Sequence, residues 1–371
     1  MYHKLYPILF LSAFILCSCK SLYNEAYQKP DLVDSKLTRS TKKLHKKLYV
    51  LSKKGFAIGQ QDATSYGIRW KQNDSTLLKK SDMMDLSGDF PAVFGFDIGH
   101  IELGDTKNLD SVNFVTMKKL ITEAYKEGGL ITVSWHADNP ITNGSSWDTI
   151  PAVNKIISKG EYKEKYNLWI ERVAKFFKSL KYRGRKIPVI FRPYHEMNGS
   201  WFWWGANNCI PEDYKKLWIE TITSLRDEHK VHNLLYAYSP NWLNQDEDYL
   251  KYYPGDNYVD ILGIDIYDFE DSENYKNALK NDLNLLKTIA TAKNKLYALT
   301  ETGLDKIDTT NWFTNVLYPT VKNSGISWVL FWRNARESHH YIPFQGQKNA
   351  TDFIKFAEFP KTLFLKDIKE L

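Results

Sequence analysis

Short apolar segments alternate with longer amphipathic segments along most of the chain, and this alternation narrows the possible folds more than any other feature. The short segments are rich in β-branched or aromatic residues and are bounded by Gly, Pro, Asn or Asp, which is typical of β-strands. Eight such segments are present, at residues 55–59, 92–97, 130–135, 188–192, 234–238, 261–267, 296–301 and 328–332. Helical patterns lie between most of them, at residues 113–126, 162–180, 213–229, 275–290 and 311–322. Strands that alternate with helices predict a parallel sheet.

The regular spacing of these strands predicts how the sheet closes. Seven steps from residue 57 to residue 330 average 39 residues, which is one strand and one helix with generous loops. A chain of 371 residues can form a single (β/α)₈ barrel, an α/β fold, as one large domain. A doubly wound open sheet is the alternative, but the Gly-x-Gly-x-x-Gly turn typical of its first strand is missing from the sequence.

The composition excludes several classes of protein. Hydrophobic residues make up 43% and charged residues 25% of the chain, so disordered and fibrous architectures are excluded. The net charge of +6 comes with no nucleic-acid-binding signature, and we expect no nucleic-acid partner. The 12 Trp and 23 Tyr exceed ordinary usage, which is also typical of proteins that stack sugar rings on aromatic side chains.

The amino terminus carries the pattern of an export signal. Lys4 precedes an apolar run at residues 8–16, which is too short to span a bilayer but suits a secretory signal. The run ends in Leu16-Cys17-Ser18-Cys19, which resembles a bacterial lipobox. This pattern predicts a membrane anchor through a lipid on Cys19. The remaining cysteine, Cys209, is then expected to be a small buried hydrophobe.

Cleavage before Cys19 divides the chain into three parts. Residues 1–18 form a lipoprotein signal peptide, residues 19–35 a polar tether, and residues 36–371 the catalytic barrel. The expected location is the bacterial cell envelope. The residues after the cysteine lack the acidic run of some surface-displayed lipoproteins, which favours an anchor that faces the periplasm.

The start of the third part is strongly basic. Residues 36–54 carry eight Lys or Arg residues, with Leu37, Leu44, Leu48 and Leu51 at near-helical spacing. A helix that covers the base of the domain and a helix that contacts anionic lipid are both consistent with this pattern.

Two carboxylates follow predicted strands. Glu196 comes directly after strand four and Glu301 ends strand seven, 105 residues further on. Chemistry in such barrels occurs at the carboxyl ends of the strands, where strands four and seven lie on opposite sides of the mouth. Two carboxylates in an aromatic cleft are what cleavage of a glycosidic bond requires, one as acid and one ionised. Alternatively, each could pair with a cation at its strand end.

Four segments carry a family resemblance. The strand-four motif is Arg192-Pro193-Tyr194-His195-Glu196-Met197-Asn198-Gly199 with Trp201; the others are residues 88–97, residues 131–140, and Gly59-Gln60-Gln61-Asp62 with Tyr66-Gly67. Together they resemble glycoside hydrolase family 26, chiefly β-mannanases, over roughly residues 45 to 360. This family belongs to a clan of barrel enzymes with catalytic Glu residues on strands four and seven.

This resemblance implies roles for the residues at the mouth. Glu196 would be the acid/base and Glu301 the nucleophile of a retaining double-displacement hydrolase. His195 would donate a hydrogen bond to the nucleophile and keep it ionised. Tyr267 would also bond the nucleophile, although it could be an ordinary strand-end tyrosine.

The resemblance also implies substrate contacts. His136, Trp201, Trp332 and Arg333 match positions that contact the sugars around the cleaved bond. Trp147, like Trp203 and Trp204, could contact substrate or pin its loop to the barrel. Asp97, at the end of strand two, could bind a sugar hydroxyl or an arginine.

The implied substrate is β-1,4-mannan, glucomannan, galactomannan or their oligosaccharides. Endo cleavage and release of mannobiose both remain open, as do the β-glucanase and β-1,3-xylanase activities of the same family. A metal-dependent hydrolase using His136, His195, Glu196 and Glu301 is a rival hypothesis. A lipid-anchored glycan-binding protein is the alternative without catalysis. We expect a monomer that needs no cofactor or metal.

Overall fold

The computed structural model describes residues 27, 30–72, 79–243 and 248–371. The chain divides into two compact units, Met1–Pro30 and Asp31–Leu371. The predicted signal peptide, Cys19 as the predicted lipidation site and most of the predicted tether lie outside the described residues. Within the described part of the chain, no helix combines the length and apolar character needed to cross a membrane.

The second unit is built on a nine-stranded parallel sheet, in which the two-residue strand Thr362–Leu363 pairs with the first strand. The other eight strands form the barrel. In chain order they are β1 Phe56–Gln61, β2 Val93–Asp97, β3 Leu130–Trp135, β4 Val189–Pro193, β5 Leu234–Tyr238, β6 Ile261–Asp268, β7 Leu296–Leu304 and β8 Trp328–Phe331. Each strand pairs with the next, and β8 pairs with β1 from Ala57–Trp328 to Gln60–Phe331. The sheet is therefore closed, which confirms the predicted barrel and excludes the open doubly wound sheet.

Helices surround the barrel between the strands. They are α1 Arg39–Lys54, α2 Asp82–Ser87, α3 Phe114–Lys126, α4 Val153–Ile156, α5 Lys163–Ser179, α6 Pro211–Thr223, α7 Ser272–Ala292, α8 Tyr318–Val321, α9 Ala350–Ala357 and α10 Leu365–Ile368. The predicted helix 213–229 ends in a π-helical turn, Ser224–Glu228, and the predicted helix 311–322 begins with another, Trp312–Leu317. A two-residue hairpin of Lys181–Tyr182 and Arg185–Lys186 precedes β4.

The helix α3 illustrates why these segments become helices. The Asn113 side chain accepts a hydrogen bond from the Val115 N–H at 2.8 Å and so caps the first turn. Buried side chains recur at the spacing of one helical face, at Phe114, Met117, Leu120, Ile121 and Ala124. Burying one large apolar side chain contributes roughly 1.5–3 kcal/mol, so this face fixes the helix against β3.

The second unit begins before the predicted start of the barrel at residue 36. The Val33 N–H donates to Asp260 at 2.8 Å, and Asp34 contacts the His232 ring at 2.7 Å. Both residues are buried, so the end of the predicted tether 19–35 is part of the packed unit. Cys209 was predicted to be buried, but in the structure this free cysteine is only half-buried.

Candidate active site

The structure brings Glu196 and Glu301 together at the carboxyl ends of β4 and β7. One carboxylate oxygen from each of Glu196, Asp265 and Glu301 lies within 4.8 Å of the other two. All three side chains are buried. Three carboxyl groups this close cannot all remain charged without a neighbouring cation, so their surroundings decide which of them holds a proton.

The backbone at the end of β4 aims Glu196 into the mouth. Tyr194 and Glu196 both adopt left-handed conformations, with φ of 48° and 55°. Such conformations cost roughly 1–3 kcal/mol each for residues other than glycine, and they persist only where the surroundings hold them. The Glu196 N–H donates to the Ser239 carbonyl at 2.8 Å, and the buried Tyr194 ring packs 5.7 Å from Trp135.

A β-bulge in β7 sets the direction of Glu301. The β6–β7 register passes from Ile264–Leu299 to Asp265–Glu301, so Thr300 is an extra residue in β7. The Thr300 hydroxyl donates to the Ile264 carbonyl at 3.0 Å and contacts Asp265 Oδ1 at 2.6 Å. Side chains alternate along a strand, so one extra residue moves Glu301 to the other face.

Arg192 supplies the positive charge at the centre of the site. Its Nη1 atom donates to Asp265 at 2.8 Å and to Ser239 Oγ at 3.1 Å, and its Nη2 atom donates to Glu301 Oε1. Burial opposes its charge, but the two carboxylates outweigh burial and raise the pKa of Arg192. The guanidinium therefore holds Glu301 by a charge-assisted hydrogen bond, one of the stronger kinds in proteins.

Glu196 has a different environment. Its carboxyl group accepts hydrogen bonds from Trp201 Nε1 at 2.8 Å and from Asn241 Nδ2 at 3.1 Å. Burial, followed by the nearby charge of Glu301, raises the pKa of Glu196 to about 7, although Asn241, Arg192 and Trp201 partly offset these effects. Glu196 therefore holds a proton up to about neutral pH, while Glu301 accepts its hydrogen bonds from the Arg192 guanidinium and the Tyr267 hydroxyl. This division suits one acid and one base.

Tyr267 lies where the resemblance expects it. Its hydroxyl donates to Glu301 Oε2 at 2.7 Å, and its ring packs edge-on against Tyr341 with centroids 5.5 Å apart. Arg192 and Tyr267 therefore donate to different oxygens of the same carboxylate. The Glu301 side chain is fixed in one orientation as a result.

The expected contact from His195 to Glu301 is corrected by the structure. His195 is buried with its ring edge-on to His136, at a centroid distance of 4.5 Å, and its Nδ1 atom has no hydrogen-bond partner among the described residues. Burial, then the charges of Arg192 and His136, lower its pKa well below the usual value, so the ring is neutral. Arg192 and Tyr267 make the contacts to Glu301.

Asp97 has a role different from the expected sugar contact. The buried carboxylate contacts His136 Nδ1 at 2.7 Å and accepts from Ser134 Oγ at 2.6 Å and the Gly99 N–H at 2.7 Å. Burial opposes its charge, but His136 and these hydrogen bonds lower its pKa to about 2. Asp97 thus orients His136, and its oxygens are already engaged.

The predicted tryptophans fall into two groups. Trp147 and Trp201 are 51% and 38% exposed, and Trp332 is half-buried. Trp147 stacks on His136 at 5.2 Å, and Trp332 lies 6.0 Å from the same ring. Trp201 Nε1 donates to Glu196, so these three indoles lie beside Glu196 or His136.

The other two tryptophans are structural. Trp203 and Trp204 are fully buried, and they donate to the carbonyls of Ala137 and His195. They pin the loop after β4, so the loop-packing interpretation is correct for both.

Arg333 belongs to a second polar cluster beside the mouth. Its Nη2 atom pairs with Asp110 at 3.1 Å and its Nη1 atom contacts the Tyr66 hydroxyl at 3.4 Å. The Tyr66 hydroxyl donates in turn to Asp62 at 3.1 Å. Burial, then the charge of Asp110, raises the pKa of Asp62 to about 8. This cluster can offer hydrogen bonds to a ligand that reaches Arg333.

Three central residues were not predicted from the sequence as parts of the site: Arg192, Asp265 and Asn241. Arg192 lies inside the quoted strand-four motif, so its position was a usable signal. Asp265 precedes Tyr267 by two residues on β6, and residues two apart share a strand face. Asn241 follows β5 with no distinguishing pattern.

The donor set does not fit the metal hypothesis. Among the residues that the structure describes, the group with metal-ligand geometry is Glu196, Asp265 and Glu301, without His136 or His195. The Arg192 guanidinium already binds two of these three carboxylates. The cation at this centre is therefore an arginine.

Comparisons with known proteins agree with one another. Residues 33–322 match the sequence profile of Glycosyl hydrolase family 26. A mannan endo-1,4-beta-mannosidase of Bifidobacterium adolescentis is 33% identical over 361 residues, covering 90% of this chain and 35% of that protein. One from Bacillus subtilis strain 168 is 32% identical, covering 58% of this chain and 59% of that protein.

A solved structure is also similar over most of its length. A GH26 beta-mannanase from Bacteroides ovatus is 43% identical with a TM-score of 0.86, covering 89% of this chain and 96% of that chain. The chain thus spans nearly the whole of this structure but only about a third and three fifths of the two curated relatives.

Proposed function

Because the chain belongs to Glycosyl hydrolase family 26, we propose that it is a retaining glycoside hydrolase that cleaves β-1,4-mannosidic bonds. The substrates would be mannan, glucomannan, galactomannan or their oligosaccharides. The observation that carries this proposal is the pair of Glu196 and Glu301, whose carboxylate oxygens lie within 4.8 Å in contrasting environments. Retaining enzymes hold their two carboxyl groups about 5–5.5 Å apart, whereas inverting enzymes leave about 6.5–9.5 Å for a water molecule.

The reaction proceeds in two displacements. In the first, a Glu301 oxygen attacks the anomeric carbon, the glycosidic C–O bond breaks, and the Glu196 proton passes to the leaving oxygen. In the second, Glu196 takes a proton from water, the water oxygen attacks the same carbon, and the bond to Glu301 breaks. Two inversions at one carbon retain its configuration.

The electrostatics explain how Glu196 can act first as an acid and then as a base. The negative charge of Glu301 helps to raise the pKa of Glu196 in the free enzyme. This charge disappears when Glu301 becomes an ester, so the pKa of Glu196 falls at that step. Arg192 and Tyr267 hold the Glu301 carboxylate ready for attack and receive it again as the leaving group.

The sugar contacts follow from the residues around this pair. Trp332 would form the floor of the sugar site before the cleaved bond, with His136 beside it, and Arg333 would bind hydroxyls one sugar further out. Trp147 and Trp201 are exposed enough to stack against sugars near the bond. The named relatives support mannan as the polymer.

A product profile tests the proposed function. Purified protein is incubated separately with β-1,4-mannan, mixed-linkage β-glucan and β-1,3-xylan, and the products are followed by chromatography and by NMR of the anomeric protons. We expect mannan to be cleaved with the β-anomer formed first. A ladder of oligosaccharides would assign endo cleavage, and mannobiose from the outset would assign exo cleavage. Preferential cleavage of either other polymer, or the α-anomer first, would overturn the proposal.

The pH dependence provides a second prediction. We expect kcat/KM to fall as the pH rises through about 7, because the first displacement needs protonated Glu196. Asn241→Ala removes an amide that lowers this pKa, so the alkaline limb should move to higher pH. Asn284→Ala, on the exposed side of α7, is the matched control and should leave the limb in place. A shift of the Asn241 variant to lower pH would contradict the assignment of Glu196 as the acid.

The location of the protein remains a proposal of its own. We propose that residues 1–18 are a lipoprotein signal peptide and that a lipid on Cys19 anchors the chain in the bacterial envelope, facing the periplasm. The lipobox-like residues 16–19 after an apolar run support this proposal.

The anchor is tested by membrane fractionation. Cys19→Ala should move the protein from the membrane pellet to the soluble fraction at high salt, with kcat/KM unchanged, because a tether takes no part in the site. Cys209→Ala should stay in the pellet. If the Cys19 variant still sediments with membranes at high salt, the anchor is elsewhere.

A further inference from the structure

The helix α1 crosses the end of the barrel opposite the candidate active site. It contacts β1, β5 and β8, and it buries Leu44, Leu48 and Leu51 against them. Its polar contacts are to segments that precede strands: the Thr38 N–H donates to His232 O, Ser40 Oγ to Lys186 O, and Lys47 Nζ to Gly128 O. The helix therefore closes the base, where the strands begin. The prediction of a helix covering the base is confirmed.

The solvent-facing side of α1 is positively charged. Its sequence contains seven Lys or Arg residues and no acidic residue. Five of them are exposed, and none of these five forms an ion pair with any residue in the described ranges; they are Arg39, Lys42, Lys43, Lys53 and Lys54.

The hairpin before β4 extends the same surface. Lys181, Arg183 and Arg185 are exposed there, and the Ser40–Lys186 contact joins the hairpin to the start of α1. Burial, then the charges of Lys181 and Lys178, lower the pKa of Lys186, as expected where cations are concentrated. We define the basic face as Arg39, Lys42, Lys43, Lys53 and Lys54 of α1 with Lys181, Arg183 and Arg185 of the hairpin.

We propose that the basic face docks on the surface of an anionic phospholipid bilayer. Eight exposed cations on one end of the barrel complement a layer of negative lipid headgroups, which attract each nearby Lys or Arg. The large apolar side chains that are exposed in the described part of the chain lie outside this face, so docking is electrostatic and peripheral. It should therefore weaken steeply as salt screens the charges.

Docking by the base would fix the orientation of the molecule. Glu196 and Glu301 lie at the carboxyl ends of the strands, whereas the basic face lies where the strands begin. A barrel seated on its base presents the catalytic mouth away from the lipid, open to a glycan chain. The proposal needs neither the hydrolase activity nor the lipid on Cys19.

Vesicle co-sedimentation tests the proposal with the full chain carrying Cys19→Ala, so that a lipid anchor contributes nothing. The vesicles are phosphatidylcholine alone or phosphatidylcholine with phosphatidylglycerol. The test variant is Lys42→Glu/Lys43→Glu/Arg183→Glu/Arg185→Glu. The control, Lys216→Glu/Lys280→Glu/Lys287→Glu/Lys355→Glu, reverses four exposed lysines on α6, α7 and α9 and changes the net charge equally.

We expect the parent and the control to bind the anionic vesicles at low salt and to dissociate at high salt. The test variant should bind at least about tenfold more weakly. The affinity for anionic vesicles should be intermediate for the neutral variant, Lys42→Gln/Lys43→Gln/Arg183→Gln/Arg185→Gln. Circular dichroism and mannan hydrolysis report whether each variant is folded. Equal binding by the test and control variants, equal binding to neutral vesicles, or binding to duplex nucleic acid but not to vesicles would each overturn the proposal.

Discussion

Replacing Glu301 with alanine is expected to reduce mannan hydrolysis by about 10⁴-fold or more, because no covalent intermediate can form without the carboxylate that attacks the sugar. Glu301 is the carboxyl group that Arg192 and Tyr267 hold from both oxygens. An activated aryl mannoside should show no burst of aryl alcohol with this variant. Any product formed in the presence of azide should have the α configuration, since azide would displace the leaving group in a single step.

The Glu301 variant needs a control for folding. Removing the Glu301 carboxylate leaves Nη2 of the buried Arg192 without this acceptor. Breaking a buried ion pair of this kind costs about 3–5 kcal/mol of folding stability. The midpoint of thermal unfolding should therefore fall, while the circular dichroism spectrum at 25 °C stays native. Glu337→Ala, which removes an exposed partner of Arg69, should change neither activity nor stability appreciably. A folded Glu301→Ala protein that hydrolyses mannan at near the parental rate would place the nucleophile elsewhere.

The barrel could be predicted because strand signals are local. In seven of the eight strands the predicted and observed ends agree within two residues, since β-branched runs and bounding Gly, Pro or Asn residues act over short distances. Strand β7 was predicted to end at Glu301 but continues to Leu304. Its bulge at Thr300 depends on hydrogen bonds to β6, a strand more than thirty residues away in sequence, so no local pattern could indicate it.

The two glutamates of the candidate active site could be predicted from the sequence, but the cation Arg192 could not. Strand-end positions predicted where Glu196 and Glu301 would lie. The predicted hydrogen bond from His195 to Glu301 was wrong because it depended on the direction of the His195 side chain. The left-handed conformations of Tyr194 and Glu196 turn the backbone twice within three residues, and His195 packs against aromatic rings as a result. The predicted sugar contact of Asp97 was wrong for a similar reason. Only the folded structure shows that the Asp97 carboxylate already bonds the His136 ring.

Replacing Glu196 with alanine should separate the two steps of the reaction. Mannan has a poor leaving group that needs a proton, so its hydrolysis should fall by about 10²–10⁴-fold. An aryl mannoside with a good leaving group needs little protonation, so the first displacement should still form the glycosyl-enzyme. The intermediate then lacks the base that activates water. We expect a burst of aryl alcohol, stoichiometric with enzyme, followed by a slow steady state.

Azide distinguishes this explanation from a general loss of activity. The azide anion attacks without help from a base, so it should restore turnover of the aryl mannoside by the Glu196 variant and release a β-glycosyl azide. The parent protein should gain nothing from azide, because Glu196 already activates water in its second step. If the Glu301 variant were rescued to a β product instead, the two glutamates would have exchanged roles. An α azide from the Glu196 variant would mean that no covalent intermediate had formed, since a second displacement on a Glu301 ester can yield only the β configuration.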